Sequence, residues 1–488
     1  MRDGHDPHLA SAAGRRGCLS RRVSAGRAVL VSLGIASYAQ AGGLYFSERG
    51  VRPMGRAGAF VAGADDLGAL WYNPAGLADA GGTLMLDLGW LNFRNTYTRE
   101  LRVTTPEGAW LTSESPMVEG ASPVLPIPTV AGSLVLDRAK KWTLTGGSFG
   151  PYVALASYKD LPGGEPSPAR YTLGSFQGSA LAVTGAWVAY KPTEAWRFGL
   201  GVSALVGWFQ STIAFTTSLQ DRLLGAPEQA EFDANSQIRV GPMFAPSLSG
   251  GVTYVPSKYL RFGLSGQTTT AIDSMAEIKI RMPSSQLFRN AALVGNRARV
   301  TFRLPPILRA GVEVRAGDAV RMELAVVHEF WSVHDAIVAV PDGMRIEGID
   351  GAPSSLALPR IDVPRQFRDI TSVRFGGEYA RTFGAYPVQF RAGVMWEPSA
   401  IPPEYLSLSS LDFNKVVTTL GASIGVGPRW KIDVCVTKSF AESVHVDPGA
   451  AKIPRINPIT GNAQLEPING GNYTANAELF GAGVVYTY

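Results

Sequence analysis

The string Gly421-Ala422-Ser423-Ile424-Gly425 has the spacing of a nucleophile elbow, in which a serine on a sharp strand-to-helix turn attacks an acyl carbon. Such a serine needs a histidine within hydrogen-bond reach as its base. Beyond residue 41 the chain offers His328, His334 and His445, none at the spacing of a triad or a metal site. Strand-like alternation runs through Ser423 on both sides, which leaves no helix to complete an elbow. Cys435 is the one cysteine after Cys18, so a chain processed at residue 41 can form no internal disulfide or cysteine-based metal site. Cys435 reads as a packing residue. This reading names no catalytic residue, no metal ligand and no cofactor.

A second chemistry lies in charges that alternate with apolar residues. In "LRFGLSGQ", Leu260, Phe262 and Leu264 fall on one face and Arg261 on the other; "LRAGVEVRAG" and "RWKIDVCVTKSF" repeat the scheme. A period of two places such sets on opposite faces of a sheet. Parity then gathers Arg261, Arg309, Arg315, Arg321, Arg374, Arg391 and Lys431 on one face with Glu313, Glu323, Glu378, Glu397 and Asp433. Unpaired charge in a closed interior is costly, so these groups are expected to pair with one another. One or two arginines could instead hold a carboxylate ligand through a charge-assisted bond.

The elements that carry these residues are strands of an unusual chain. Charged residues are 17% of 488, against about 25% in typical soluble proteins, and 55 glycines exceed the usual ~7%. The net charge of +5 sits mostly in the first 41 residues, where six arginines outweigh Asp3 and Asp6, so no nucleic-acid partner is implied. That stretch has a basic start, the apolar run "AVLVSLGIASY" and the cleavage-like Ala39-Gln40-Ala41, and residues 1–41 are expected to be a secretory signal. No run of ~18 apolar residues follows, which excludes a helical membrane span. Tight turns near Ala139, Pro192, Pro256, Gly317, Gly384 and Gly427 alternate with long polar segments. Short turns at one end and long loops at the other belong to outer-membrane barrels, and the segments count to about fourteen strands. Trp90, Trp187, Trp196, Trp208, Tyr254, Trp396 and Trp430 fit interfacial girdles. The fold expected is all-β, a transmembrane antiparallel barrel over residues 83–488.

Ahead of the first strand lies "DDLGALWYNPAGLADAGG", Asp65 to Gly82. Asn73 can cap a helical turn, Pro74 suits its first position, and Gly81 and Gly82 can end it.

With these features the sequence resembles the FadL/TodX family of outer-membrane transporters for long-chain fatty acids and other hydrophobic compounds. The resemblance rests on Arg56–Ala78 with its Asn-Pro-Ala element, on Leu304–Ser332 ending in Trp-Ser, and on Val388–Gly427 with its Pro-Pro and glycine-rich strand. It implies that residues 42–82 form a plug inside the barrel, with Trp71, Tyr72, Asn73, Pro74 and Ala75 part of the block. It also implies that a kink in the third strand opens the wall sideways. Gly146, Gly147, Gly150 and Pro151 interrupt that strand's alternation and mark the kink.

A hydrophobic cargo also needs an outer landing site. Leu219, Leu223 and Leu224 in one long loop, and Leu287, Phe288 and Val294 in another, are candidates for an apolar groove; the other reading is that these loops pack on one another. The function expected is passive uptake of long-chain fatty acids or other hydrophobic compounds by a monomer in outer-membrane lipid. The alternatives are a diffusion porin for polar solutes and an outer-membrane lipid hydrolase.

Overall fold

The computed structural model describes residues 48–104, 110–150, 155–217, 229–457 and 467–488. The signal-like stretch, the start of the 42–82 segment, Pro151, Leu219, Leu223 and Leu224 lie outside these residues.

Fourteen strands close into one antiparallel wall. In chain order they are β1 (Thr83–Thr104), β2 (Pro126–Val135), β3 (Trp142–Phe149), β4 (Ala180–Tyr190), β5 (Trp196–Thr216), β6 (Asp233–Ser257) and β7 (Leu260–Gln267). There follow β8 (Ile307–Ala316), β9 (Val320–Glu329), β10 (Ile370–Phe383), β11 (Tyr386–Glu397), β12 (Lys415–Val426), β13 (Trp430–Ala441) and β14 (Gly471–Thr487). Each pairs with the next, and β14 returns to β1 in unbroken register from Thr83↔Thr487 to Arg99↔Gly471. Closure satisfies the backbone where lipid could not.

The connections sort to two ends. Short links at 136–141, 191–195, 258–259, 317–319, 384–385 and 427–429 lie at one end, at or beside the turns expected from sequence. Gly317, Gly384 and Gly427 carry positive φ there, which a side chain would oppose. At the other end several strands extend past the wall proper: residues 270–281, 297–304, 336–341 and 361–364 form a ladder continuing from the upper part of β6.

Near the short-turn end the alternation is apolar-out. Phe262 and Leu264 are exposed while Arg261 and Ser265 on either side of them are buried. Stacked or tilted pairs such as Trp142–Tyr190, Trp196–Tyr254 and Trp430–Tyr486 ring this end. Trp187, grouped with the girdle residues by sequence, instead points inward, is buried, and donates its indole N–H to Ser249 at 3.2 Å. Toward the long-loop end the parity inverts. In Arg297–Leu304 the inner positions are Ala298, Val300, Phe302 and Leu304, and Arg297, Arg299 and Arg303 face out.

Residues 48–82 lie against the inner wall in short turns: Val51–Met54, Ala69–Tyr72 and the 3-10 turn Pro74–Asp79. Asn73 caps the last as expected, its side-chain oxygen accepting from Ala75 N at 3.1 Å. Its amide nitrogen donates to Val61 O at 2.8 Å and to Thr253 Oγ1 at 3.1 Å on β6. Inward-facing glycines make room for this segment. A Cβ at Gly199 would collide with the Pro74–Ala75 peptide, and one at Gly393 with the Arg56 backbone.

Replacing Gly393 with valine is therefore expected to expel residues 48–82 from the wall or prevent closure. The check is loss of the compact, heat-modifiable band on unheated gels, or new protease cleavage within residues 48–82.

Candidate functional site

The interior divides into a charged half and an apolar half. In the charged half, the fully buried Arg56 reaches Glu313 at 3.2 Å, Glu323 at 3.3 Å and Glu378 at 3.5 Å. Arg52, one helical turn earlier, binds Glu378 at 2.9 Å together with Asp65 and Asp66. Asp65 is also held by Arg321 at 2.8 Å, and these arginines keep its carboxyl well below the usual range. Arg391 spans Glu378 and Asp433, and Arg374 spans Glu48 and Glu397. Arg197 and Arg261 close on Asp79. Glu323 in addition accepts the three consecutive backbone N–H groups of Val61, Ala62 and Gly63 at 2.6–2.9 Å. The charges placed on the inner face by parity are thus joined to residues 48–82. Arg52 and Arg56 were not singled out from sequence; their spacing of four in a largely apolar stretch was the available signal.

Above the network is an apolar cavity of about 320 Å³. Its walls include Leu205, Phe209, Val240, Met243, Val300 and Phe302, all inner-face positions, and loop residues Leu408, Leu411 and Ile453 help cover it. Among the described residues one cation lines it. Arg365 follows the strand Ile361–Pro364 and is buried, donating from Nη1 to Ser410 Oγ at 2.8 Å and Ser409 Oγ at 3.1 Å. Among the described residues no carboxylate pairs with Arg365 and its Nε has no acceptor. Burial alone pulls the guanidinium down to about 10. Sequence parity missed Arg365 because it lies in a connection, beyond the reach of a two-residue rhythm.

Beside it, His334 is buried against Trp331 and Phe367, with Nδ1 2.8 Å from Arg303 O. A carbonyl can only accept, so Nδ1 carries the proton. Burial, then the nearby Arg365 charge, push this imidazole down to about 4.

Pairing runs in register through Gly146 and Gly147 up to Phe149, and Gly150 N makes a bond to Pro128 O at 3.0 Å. Farther along, Ser157 and Tyr158 pair with Ala121 and Gly120; residues 151–154 lie outside the described residues. Pairing is therefore continuous at Gly146 and Gly147, where the missing side chains interrupt only the alternation. Gly150 is the last described residue of this stretch. Across from it stand Pro126 and Pro128 of β2, which lack the N–H a ladder needs. Inside lie Leu70, whose Cδ2 lies where it would meet a Cβ on Gly147 at 3.2 Å, and Trp71, edge-on to Phe149 at 5.6 Å. Arg49 and Arg309 flank the Trp71 ring at 5.0 and 4.9 Å. Tyr72 takes Arg49 N on its hydroxyl at 2.8 Å, and Pro74 and Ala75 are buried against β5.

The chain matches, over residues 32–488, the family described as "Outer membrane protein transport protein (OMPP1/FadL/TodX)". It belongs to this family. No curated protein matches it. Among solved structures it is similar to a Pseudomonas aeruginosa FadL homologue at 12% identity and a TM-score of 0.67, covering 92% of this chain and 99% of the other. It also resembles the Ralstonia pickettii toluene transporter TbuX (15% identity, TM-score 0.55, 91% and 99% covered) and the Pseudomonas putida toluene transporter TodX (16%, 0.55, 88% and 97%). At such identities the likeness is one of fold. Family membership makes the chain a transport protein of the outer membrane rather than an enzyme.

The remaining residues singled out from sequence fall into place around this FadL/TodX barrel. Ser423 lies on the inner face of β12, bonded to Asp433 and Arg391, while His328 is on the outer face beside Thr371, so the two cannot form a catalytic pair. Cys435 is buried against Val51 and Met54. In the long loops, Phe288 is buried against Ile346 and Ile349, Leu287 is partly buried in the same cluster, and Val294 pairs with Arg345. That loop packs on its neighbours, and its partner Met344 reaches the cavity lining.

Two predictions follow from these buried groups. Arg56→Met leaves Glu313 and Glu323 short of their shared cation and should lower unfolding free energy by about 3 kcal/mol in urea titrations. His334 ordinarily titrates near 6.5 but near 4 in the fold, so its neutral form stabilises fully above about 6.5 and that contribution is lost as pH falls toward 4. Protease sensitivity of residues 330–369 should rise over that window, and rise less in His334→Phe.

Proposed function

We propose that the protein carries amphipathic acids, such as long-chain fatty acids, passively across the outer membrane. The observation that carries this reading is a buried arginine that, among the described residues, has no carboxylate partner and faces an otherwise apolar cavity. An acyl chain gains about 0.8 kcal/mol for each methylene it buries in such a cavity. Its carboxylate would supply the counter-charge that Arg365 lacks, with Ser409 and Ser410 orienting the guanidinium. TbuX and TodX are named for toluene, and a neutral hydrocarbon would suit the same walls, but it would leave Arg365 unpaired.

In this reading residues 42–82 act as a plug. The ion pairs of Arg52 and Arg56 and the cap at Asn73 fix it at the short-turn end, and Trp71, Tyr72, Pro74 and Ala75 fill the bore. Cargo would leave sideways at a kink around Gly150-Pro151, passing Trp71 and Phe149. Residues 1–41 serve as the export signal. The closed fourteen-strand wall leaves no free edge of its own among the described residues, which supports a monomer.

Arg365→Gln should weaken binding of a radiolabelled long-chain fatty acid roughly tenfold, as loss of a charge-assisted bond does. Binding of an aromatic hydrocarbon should hardly change; equal loss for both would refute the acid reading. Strand-forming residues in place of Gly150-Pro151 should abolish uptake while leaving assembly intact. Liposomes containing the protein should swell little in sugars, and brisk swelling would favour a porin.

A further inference from the structure

The inverted parity of the upper wall leaves a basic surface on the outside of the barrel. Arg297, Arg299 and Arg303 project from one strand whose inner side lines the cavity. The neighbouring strand adds Lys279 and Arg281, and β6 adds Arg239, all exposed. Register places Arg239, Glu277 and Arg297 side by side, with Met275 beside Arg299 in the next row. Among the described residues four carboxylates share this face: Asp273, paired with Arg299 at 2.7 Å, Glu277, 3.5 Å from Lys279, Asp342, across from Arg297, and Asp362, in the row of Asp273 and paired with Arg360 at 2.8 Å. The bases still outnumber the acids, and Arg281, Arg297 and Arg303 have no ion pair among the described residues.

The location limits what can meet this charge. On the same wall, toward the short turns, Phe244, Leu248, Leu264 and Leu308 are exposed to the acyl-chain layer. Arg239 lies over the outward Trp208 ring at 4.6 Å, an aromatic at the polar edge of that layer. The patch thus begins where lipid chains give way to headgroups, at the end of the long outer loops. From Arg303 to Arg297 is six residues, or about 20 Å of strand, long enough to meet more than one phosphate. On the opposite seam the outward charges are closer to balance, with Lys438 bound to Glu478 at 2.6 Å.

We propose that this face binds the phosphorylated glucosamine headgroup of the outer-leaflet glycolipid, lipid A. Arginine forks at Arg297, Arg299 and Arg303 engage its phosphates, and its acyl chains lie along Leu264, Leu308 and Phe244. Arginine suits phosphate because its planar donors bind two oxygens at once. The bound lipid would hold the strand that is at once the cavity wall and the headgroup contact.

The test uses the full chain, refolded in detergent, titrated with bisphosphorylated lipid A, with the same lipid stripped of phosphate, and with inorganic phosphate. Wild type should retain the phosphorylated lipid, and the Arg297→Gln/Arg299→Gln/Arg303→Gln variant should bind it at least about tenfold more weakly. Binding should also fall with added salt. An Arg94→Gln/Lys438→Gln variant on the opposite seam should match wild type. Equal binding of phosphorylated and stripped lipid by wild type would overturn the proposal without reliance on any variant. So would equal retention by wild type and the triple variant, or displacement of the lipid by millimolar inorganic phosphate.

Discussion

A peptide group in hydrocarbon has no water to bond, and this one constraint orders the whole molecule. It requires every wall strand to find two neighbours, which is met when the last strand returns to the first over the full run from Thr83 to Arg99. At Gly150, the last described residue of its stretch, Pro126 and Pro128 stand opposite without donors of their own, and Phe149, Trp71 and Leu70 lie alongside.

Inside, the same closure creates a volume that must be filled, and the chain fills its halves in different ways. Near the short turns, charge answers charge: Arg52 and Arg56 enter a set of wall carboxylates that would be costly alone, and backbone donors of residues 61–63 complete Glu323. Such networks fix position more than they add stability, since each ion gives up water to join. Toward the long loops, the wall turns its aliphatic and aromatic side chains inward and leaves a dry space. Arg365 at its edge is the exception, a charge whose partners are hydroxyls.

Much of this was legible in the sequence because the outer wall obeys one rule at a time. Where lipid covers the outside, apolar residues mark the outer face, so Arg261, Glu313 and Asp433 could be placed inward by counting. Tight turns carried their glycines openly, and Asn73-Pro74 announced its cap. The rule failed where its physical basis changed. At Gly146 and Gly147 there is no side chain to report a face, so the alternation lapses although pairing is continuous. Above the lipid, the outside meets polar headgroups and the inside is dry, and "RARVTFRL" alternates with the opposite sense. Trp187 was assigned to the interface by type, but its N–H found a serine inside. Arg365 sits outside any periodic element.

The contact of Arg56 with Glu313, Glu323 and Glu378 has a consequence for how the molecule comes into being. The arginine belongs to the earliest part of the described chain, its partners to the middle, and the seam that encloses them is sealed by the seventeen-residue last strand, Gly471–Thr487. A peptide lodged so deeply cannot be threaded into a finished cylinder through interlocked side chains. Its seating must precede the zipping of the seam, so the beginning of the chain waits, already in position, for the end to arrive.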